Sequence, residues 1–236
     1  MGYTVALPKD DIKTLVHEAP WFSYLPDEAL DRLADAAISQ HFSKGSLIHG
    51  KGDKAKGVFC VVKGRLRASH TTLEGHEIVL NDAVPGIWFG ELTLEDGGAR
   101  THDMHAQEDS VILFICRNVL LDIGEQWPEL YRGLFSVLAR RMRSTFGLLD
   151  MSHQGVSLKV RLAYRLLQFI QVYGEDVTEG IELKMAITQS DLALLSGGSR
   201  QHINQILKAW SEEGIIRNGA NLMILDRAAL EEAAEF

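Results

Sequence analysis

Residues 89–101 read FGELTLEDGGART. The stretch joins a Gly-Glu pair, a short glycine-containing loop and an Arg-Thr pair, groups that suit a ligand carrying both a phosphate and a sugar. Arg100 offers a planar fork of N–H donors to phosphate oxygens. Thr101 adds a hydroxyl and a backbone N–H, and Gly90 lets backbone amides come close. Ionised Glu91 only accepts hydrogen bonds, so it repels phosphate but can hold a ribose hydroxyl. Leu92, next in the chain, is counted with this candidate set. The same residues also suit a strand–loop–strand with a surface ion pair, so their reading depends on what surrounds them.

Upstream, from about Ser39 to Cys116, short strands alternate with turns. Gly45, Gly50, Gly52, Gly57, Gly64, Gly75 and Gly86 punctuate the segments VFCVV, RLRAS and HEIVL. This rhythm predicts a small antiparallel barrel or jelly roll rather than a parallel sheet. Two short helices are expected before it, over Asp10–Glu18 and Asp27–Ala37, the second opened by Pro26.

At Trp127-Pro128 the period becomes helical. Tyr131, Phe135, Leu138, Met142, Thr145 and Leu149 follow steps of four and three, a heptad-like seam. A helix from about Pro128 to Met151 would be roughly 35 Å long. Arg132, Arg140, Arg141 and Arg143 flank the narrow seam, which fits a two-helix dimer contact better than a core helix. Gly155 is a natural helix stop, and Val156–Tyr173 reads as a further amphipathic helix, followed by an acidic loop from Gly174 to Gly180. The expected domains are therefore 1–126, 127–154 as helix and hinge, and 155–236.

Residues 188–210, TQSDLALLSGGSRQHINQILKAW, read as a helix-turn-helix. Thr188 and Gln189 open the first helix, with Asp191 favouring its N-terminus; Thr188 and Gln189, with Ser199, are also candidate DNA contacts. Ala193 is small where the helices cross, and Gly197-Gly198 supplies the turn. Ser199 caps the second helix, whose inner face holds Ile203, Ile206 and Leu207. Its outer face presents Arg200, Gln201, Asn204 and Gln205, the positions from which a recognition helix reaches base edges. Asn218-Gly219 then turns a hairpin between two apolar strands, which makes the unit a winged helix.

Charge dissents. The chain carries a net charge of −8, and from Gly155 onward eight basic side chains face eleven acidic ones. General affinity for nucleic acid should be low and strongly salt-dependent. The 236 residues are 46% hydrophobic and 24% charged, with no apolar run long enough to span a membrane and no secretory signal. Cys60 and Cys116 sit in apolar runs and read as buried thiols in a reducing, cytoplasmic compartment. The nine histidines show no metal-ligand spacing, and no nucleophile–base pair emerges, which argues against an enzyme. Haem would need a defined axial pair, which His76 alone does not make.

With both motifs placed, the whole chain resembles the Crp/Fnr superfamily of bacterial transcription regulators. The order of the motifs carries the resemblance, together with the string KGSLIHGKGDKAKGVFCVVKGRLRAS, in which Gly45, Gly52, Asp53 and Gly64 fall at that family's turn positions. The resemblance implies an α+β chain: an N-terminal β-roll sensor, a long dimerisation helix and a C-terminal winged helix-turn-helix. It implies a homodimer on a two-fold symmetric site in double-stranded DNA, RNA polymerase as a further partner, and cyclic AMP or cyclic GMP as effector with no other cofactor. Gly90 and Glu91 would then lie at the sugar, Arg100 and Thr101 at the phosphate, and Thr145 at the purine.

Three features depart from the family. Phe146 stands where a Ser is expected, the Arg-Thr pair continues as His102-Asp103-Met104-His105, and Gln201 and Gln205 replace residues that read DNA in the best-known members. His102 either serves an altered ligand or satisfies a buried carbonyl. Two alternatives stay open: a regulator of this type with a non-nucleotide effector or none, and a cyclic-nucleotide-binding module that acts through protein partners.

Overall fold

A computed structural model describes residues 2–72, 74, 77–94, 96–151, 155–183, 187–219 and 221–235, the side chains of 148–151 excepted. Gly75, His76 and Lys184 lie outside the described residues, as does the side chain of Leu149. The chain divides into two compact units, Met1–Met142 and Arg143–Phe236.

The first unit opens with a strand β1 (Tyr3–Thr4) and helices α1 (Lys9–His17) and α2 (Asp27–Ala36). The roll follows: β2 (Ile38–Phe42), β3 (Leu47–His49), β4 (Gly57–Lys63), β5 (Leu66–Thr71), β6 (Glu77–Ala83), β7 (Trp88–Phe89), β8 (Asp103–Ala106) and β9 (Ser110–Cys116). Its strands form two antiparallel sheets, ordered β1-β2-β9-β4-β7 and β3-β8-β5-β6. Helices α3 (Arg117–Gln126) and α4 (Glu129–Met151) come next, and the boundary between the two units falls inside α4. The sequence reading had not singled out α3; no side chain caps its first turn, so it carries little local signal.

The centre of the five-stranded sheet, β4 and most of β9, is buried on both faces. From β4, Val58 and Cys60 pack with Phe22 of the α1–α2 connection and the helical residues Leu33, Leu120, Leu130 and Leu134, while Phe59 and Val61 point into the roll with Leu66, Ala68, Met104 and Ile112. Double burial explains why VFCVV is a continuous apolar run rather than an alternating one. One face of α4 is consumed in the same way, through Leu130, Leu134 and Val137. Cys60 is fully buried as expected, but Cys116 is exposed at the end of β9, where Ile115 takes the last inward position.

The second unit holds α5 (Leu158–Tyr173), β10 (Gly174–Val177), β11 (Gly180–Leu183), α6 (Gln189–Ser196), α7 (Arg200–Glu212), β12 (Ile216–Asn218), β13 (Leu222–Ile224) and α8 (Arg227–Glu232). The acidic stretch 174–180, expected as a loop, is a strand, the turn at Thr178-Glu179 and the first residue of the next strand, in a sheet ordered β10-β11-β13-β12. Acidic residues are poor strand formers, and here pairing of β11 with β13 overrides that preference. The wing also differs in detail. Asn218 pairs with Leu222, so three residues, 219–221, connect its strands rather than a two-residue Asn-Gly turn.

Burial holds the Cys60 thiol at a pKa pushed up to about 12, so it is protonated and inert at neutral pH. An aromatic disulfide reagent should therefore titrate one thiol per native chain and the second only after unfolding in urea. Two reactive thiols in the native protein would contradict this placement.

Candidate functional site

Gly90 adopts φ 102°, a left-handed conformation that a side chain would strain. A Cβ there would also lie 2.8 Å from Nη1 of Arg100. This turn launches a 3₁₀ segment, Glu91–Thr93, that buries Glu91 and Thr93 and leaves Leu92 exposed. Arg100 is only 6% exposed. Its Nη1 donates to the Gly90 carbonyl at 3.1 Å and lies 3.5 Å from the Thr93 hydroxyl, its Nη2 donates to the Gly57 carbonyl, and its guanidinium sits 5.4 Å from the Phe59 ring centroid. Burial lowers its pKa, opposed by Glu91 and Asp53. Its Nε–H makes no hydrogen bond among the described residues.

A second arginine, Arg141, holds Glu91. One carboxylate oxygen accepts from Arg141 of α4, while Arg141 Nη2 donates to the Trp88 carbonyl at 2.7 Å. The second oxygen, Oε2, is buried and has no hydrogen-bond partner among the described residues. A buried carboxylate oxygen left unpaired is costly, so it marks a position that a donor can fill.

Beside this pair lie two imidazoles. His49 is buried, stacks on Phe59 with ring centroids 6.0 Å apart, and its Nδ1 has no hydrogen-bond partner among the described residues. Burial, then Arg100 and His102, push its pKa down to about 4. His102 is half-buried, its ring centroid 5.7 Å from that of His49, and its Nδ1 lies 2.9 Å from the exposed Thr101 hydroxyl. It therefore engages a side-chain hydroxyl rather than a buried carbonyl. Asp103 ties the β3–β4 connection to β8 by accepting from the Lys51 N–H at 2.7 Å.

The sequence reading missed Gly57, Phe59, Thr93 and His49 as parts of this cluster, and counted Arg141 only as a flank of the seam. Thr145 is exposed in the second unit. Along the first unit's part of α4, Tyr131, Phe135 and Met142 are exposed and Leu138 half-buried; Phe135 and Met142 expose 72% and 61% of their surface.

In the second unit a reciprocal capping box joins Thr188 and Asp191, and Gly197 ends α6 with φ 66°. The Ser199 hydroxyl accepts from the His202 N–H and opens α7. Ile203, Ile206, Leu207 and Trp210 are buried, while Arg200, Gln201, Asn204 and Gln205 are exposed. Gln189 reaches across to Asn204 at 3.2 Å.

The basic residues of this unit are unequally free. Arg161 donates to the carbonyls of Val156, Ser196 and Gly197, and Arg165 to that of Leu195, so both brace the end of α6. Arg217 of the wing pairs with Glu179, Lys208 with Glu212 and Arg227 with Glu231. Among the described residues, Arg200 forms no ion pair or hydrogen bond through its side chain.

Residues 39–126 match the family of cyclic nucleotide-binding domains, and residues 160–233 match the Crp-like helix-turn-helix domain. Over 218 residues the chain is 30% identical to the cyclic AMP receptor protein of Thermus thermophilus, covering 92% of this chain and 97% of that protein. The crystal structure of the Thermus thermophilus catabolite activator protein superposes with a TM-score of 0.51 at 30% identity, covering 91% of this chain and 98% of that one. FixK2 from Bradyrhizobium japonicum shares the fold, with a TM-score of 0.71 at 19% identity over 85% of this chain and 98% of its own. The fold and both matches define a DNA-binding transcription regulator rather than an enzyme. The chain belongs to the Crp family. Among the described residues no helix is long and apolar enough to cross a membrane.

Proposed function

We propose that the chain is a homodimeric regulator whose affinity for a two-fold symmetric DNA site is set by a cyclic nucleotide bound among Gly90, Glu91, Arg100 and Thr101. The observation that carries the nucleotide reading is the buried, unpartnered Oε2 of Glu91 set near a buried guanidinium with an N–H to spare. A ribose hydroxyl donates to the first and an anionic phosphate accepts from the second, so one small molecule satisfies both. The names of relatives support it: besides the Thermus protein, a 28% identical relative from Mycobacterium tuberculosis is a cAMP-activated global transcriptional regulator.

The dimer reading rests on α4. One face of this helix is committed to the core of the first unit, and the face carrying Phe135 and Met142 is exposed to solvent. Large apolar groups at heptad spacing on a helix already packed on its other side suit a second copy of the same helix. The DNA reading rests on α7, where Arg200 is exposed beside Gln201, Asn204 and Gln205. A dimer then presents two such helices, and its half-sites fall one helical turn, roughly 34 Å, apart. Effector binding works by population shift, favouring the arrangement in which both helices fit the site.

Isothermal calorimetry with cyclic AMP and cyclic GMP tests the nucleotide reading. The wild type should give saturable heat with at least one of them, and Arg100→Ala, checked for native circular dichroism, should bind at least about tenfold more weakly through loss of a charge-assisted contact. Absence of heat with either nucleotide contradicts the reading. For the DNA contact, Arg200→Ala should lose about 1–3 kcal/mol of discrimination between a selected duplex and a random one. Unchanged fluorescence-anisotropy titrations would remove α7 from the interface.

A further inference from the structure

We propose that His102 is a positioning residue: it aims the Thr101 hydroxyl at the phosphate of the bound nucleotide by donating from its own Nδ1–H, and it takes up a proton to do so. The inference rests on the cyclic-nucleotide reading of the roll and adds to it a chemical requirement of this particular chain.

The contact at issue is the 2.9 Å approach of His102 Nδ1 to Thr101 Oγ1. A hydroxyl has one hydrogen. When Nδ1 is a bare lone pair, the Thr101 hydrogen is committed to it, and the hydroxyl turns only lone pairs outward, which repel a phosphate oxygen. When Nδ1 carries a hydrogen, it donates to Thr101 Oγ1, and the hydroxyl hydrogen is released to donate to the phosphate. An anionic ligand therefore selects the Nδ1–H form, and its charge favours the imidazolium over the neutral tautomer.

The groups around His102 fix the direction of the linkage. Burial and the positive charge of Arg100, with a smaller contribution from Arg141, hold its pKa below the ordinary histidine value, while Glu91 and Asp103 oppose them. His49, facing it from β3, is kept neutral by burial down to about pH 4 and does not compete for the proton near neutrality. The free protein thus carries a neutral His102 at neutral pH. A phosphate placed against Arg100 offsets the charge that depresses His102 and adds an attraction of its own, so the pKa rises in the complex. The cyclic phosphodiester stays a monoanion throughout this range and contributes no proton itself. Affinity for the nucleotide must then increase as pH falls through the bound-state pKa, and level off below the free-state pKa. For one linked proton the limit is about tenfold per pH unit.

Calorimetry of the full-length protein with cyclic AMP and cyclic GMP, from roughly pH 8 down to roughly pH 6, tests this directly. Runs in buffers of different ionisation heat give the number of protons taken up. Wild type should take up a fraction of a proton per site and bind several-fold tighter at the lower pH. His102→Asn, which keeps a hydrogen-bonding group but does not titrate, and His102→Ala should both bind without proton uptake and with a flat pH profile. Wild-type binding with no proton uptake overturns the inference while leaving the nucleotide reading intact. Equal uptake by the His102 variants overturns it as well, because the proton then lands elsewhere. Failure to bind either nucleotide at any pH overturns both.

Discussion

A guanidinium that is almost wholly withdrawn from solvent must find acceptors for its N–H groups, and Arg100 finds them in the backbone, at the carbonyls of Gly57 and Gly90. Much of the first unit's geometry follows from that need. Gly57 opens β4, and a Cβ there would come within 2.1 Å of the Ile115 carbonyl, so the strand can run close to β9 only as glycine. Gly90 occupies a left-handed turn that brings its carbonyl to Arg100 and sends Glu91 inward. Glu91 is then held by Arg141, some fifty residues later, which ties α4 to the same cluster. A buried cation, a buried anion and the helix beyond them form one connected network. Networks of this kind are costly when incompletely satisfied, and among the described residues the Glu91 Oε2 and the Arg100 Nε–H are points at which this one is incomplete.

The second unit solves a different problem, that of presenting a polar helix rigidly. Arg161 and Arg165 spend their charge on the carbonyls that end α6, the Thr188–Asp191 box fixes its start, and Ser199 fixes the start of α7. The acid excess also looks different in three dimensions. Glu179 at the turn of the β10–β11 hairpin pairs with Arg217 of the wing, so part of the negative charge is paired locally rather than opposing a polyanion. On the proposed reading, sequence-independent attraction is weak and recognition rests on the exposed side chains of α7, doubled in a dimer.

What could be read from the sequence was local. The strand rhythm, the turns at Gly45, Gly52, Gly64 and Gly86 and the caps at Thr188 and Ser199 each act over a few residues, and each is where it was expected; the heptad steps from Tyr131 fall on one helix, α4. What escaped was set by partners distant in the chain. Cys116 ends an apolar run but is exposed because it is the last residue of β9, at the end of its ladder with β4, where the distant core stops covering the strand. The acidic 174–180 stretch becomes a strand because β13 pairs with its neighbour. Arg141 meets Glu91, and His49 meets His102, across separations for which no spacing rule exists. Even the choice between a buried carbonyl and a ligand for His102 was settled by neither option alone: the ring engages the adjacent Thr101.

The central claim is that occupancy of the roll controls the affinity of the winged helix for DNA. The most direct test is the dissociation constant for a duplex enriched by this protein from a random pool, measured by fluorescence anisotropy with and without saturating cyclic nucleotide. Coupling of the size usual between linked sites predicts that binding tightens by about 5–150-fold when the nucleotide is present. Equal affinity in its presence and absence would contradict the account.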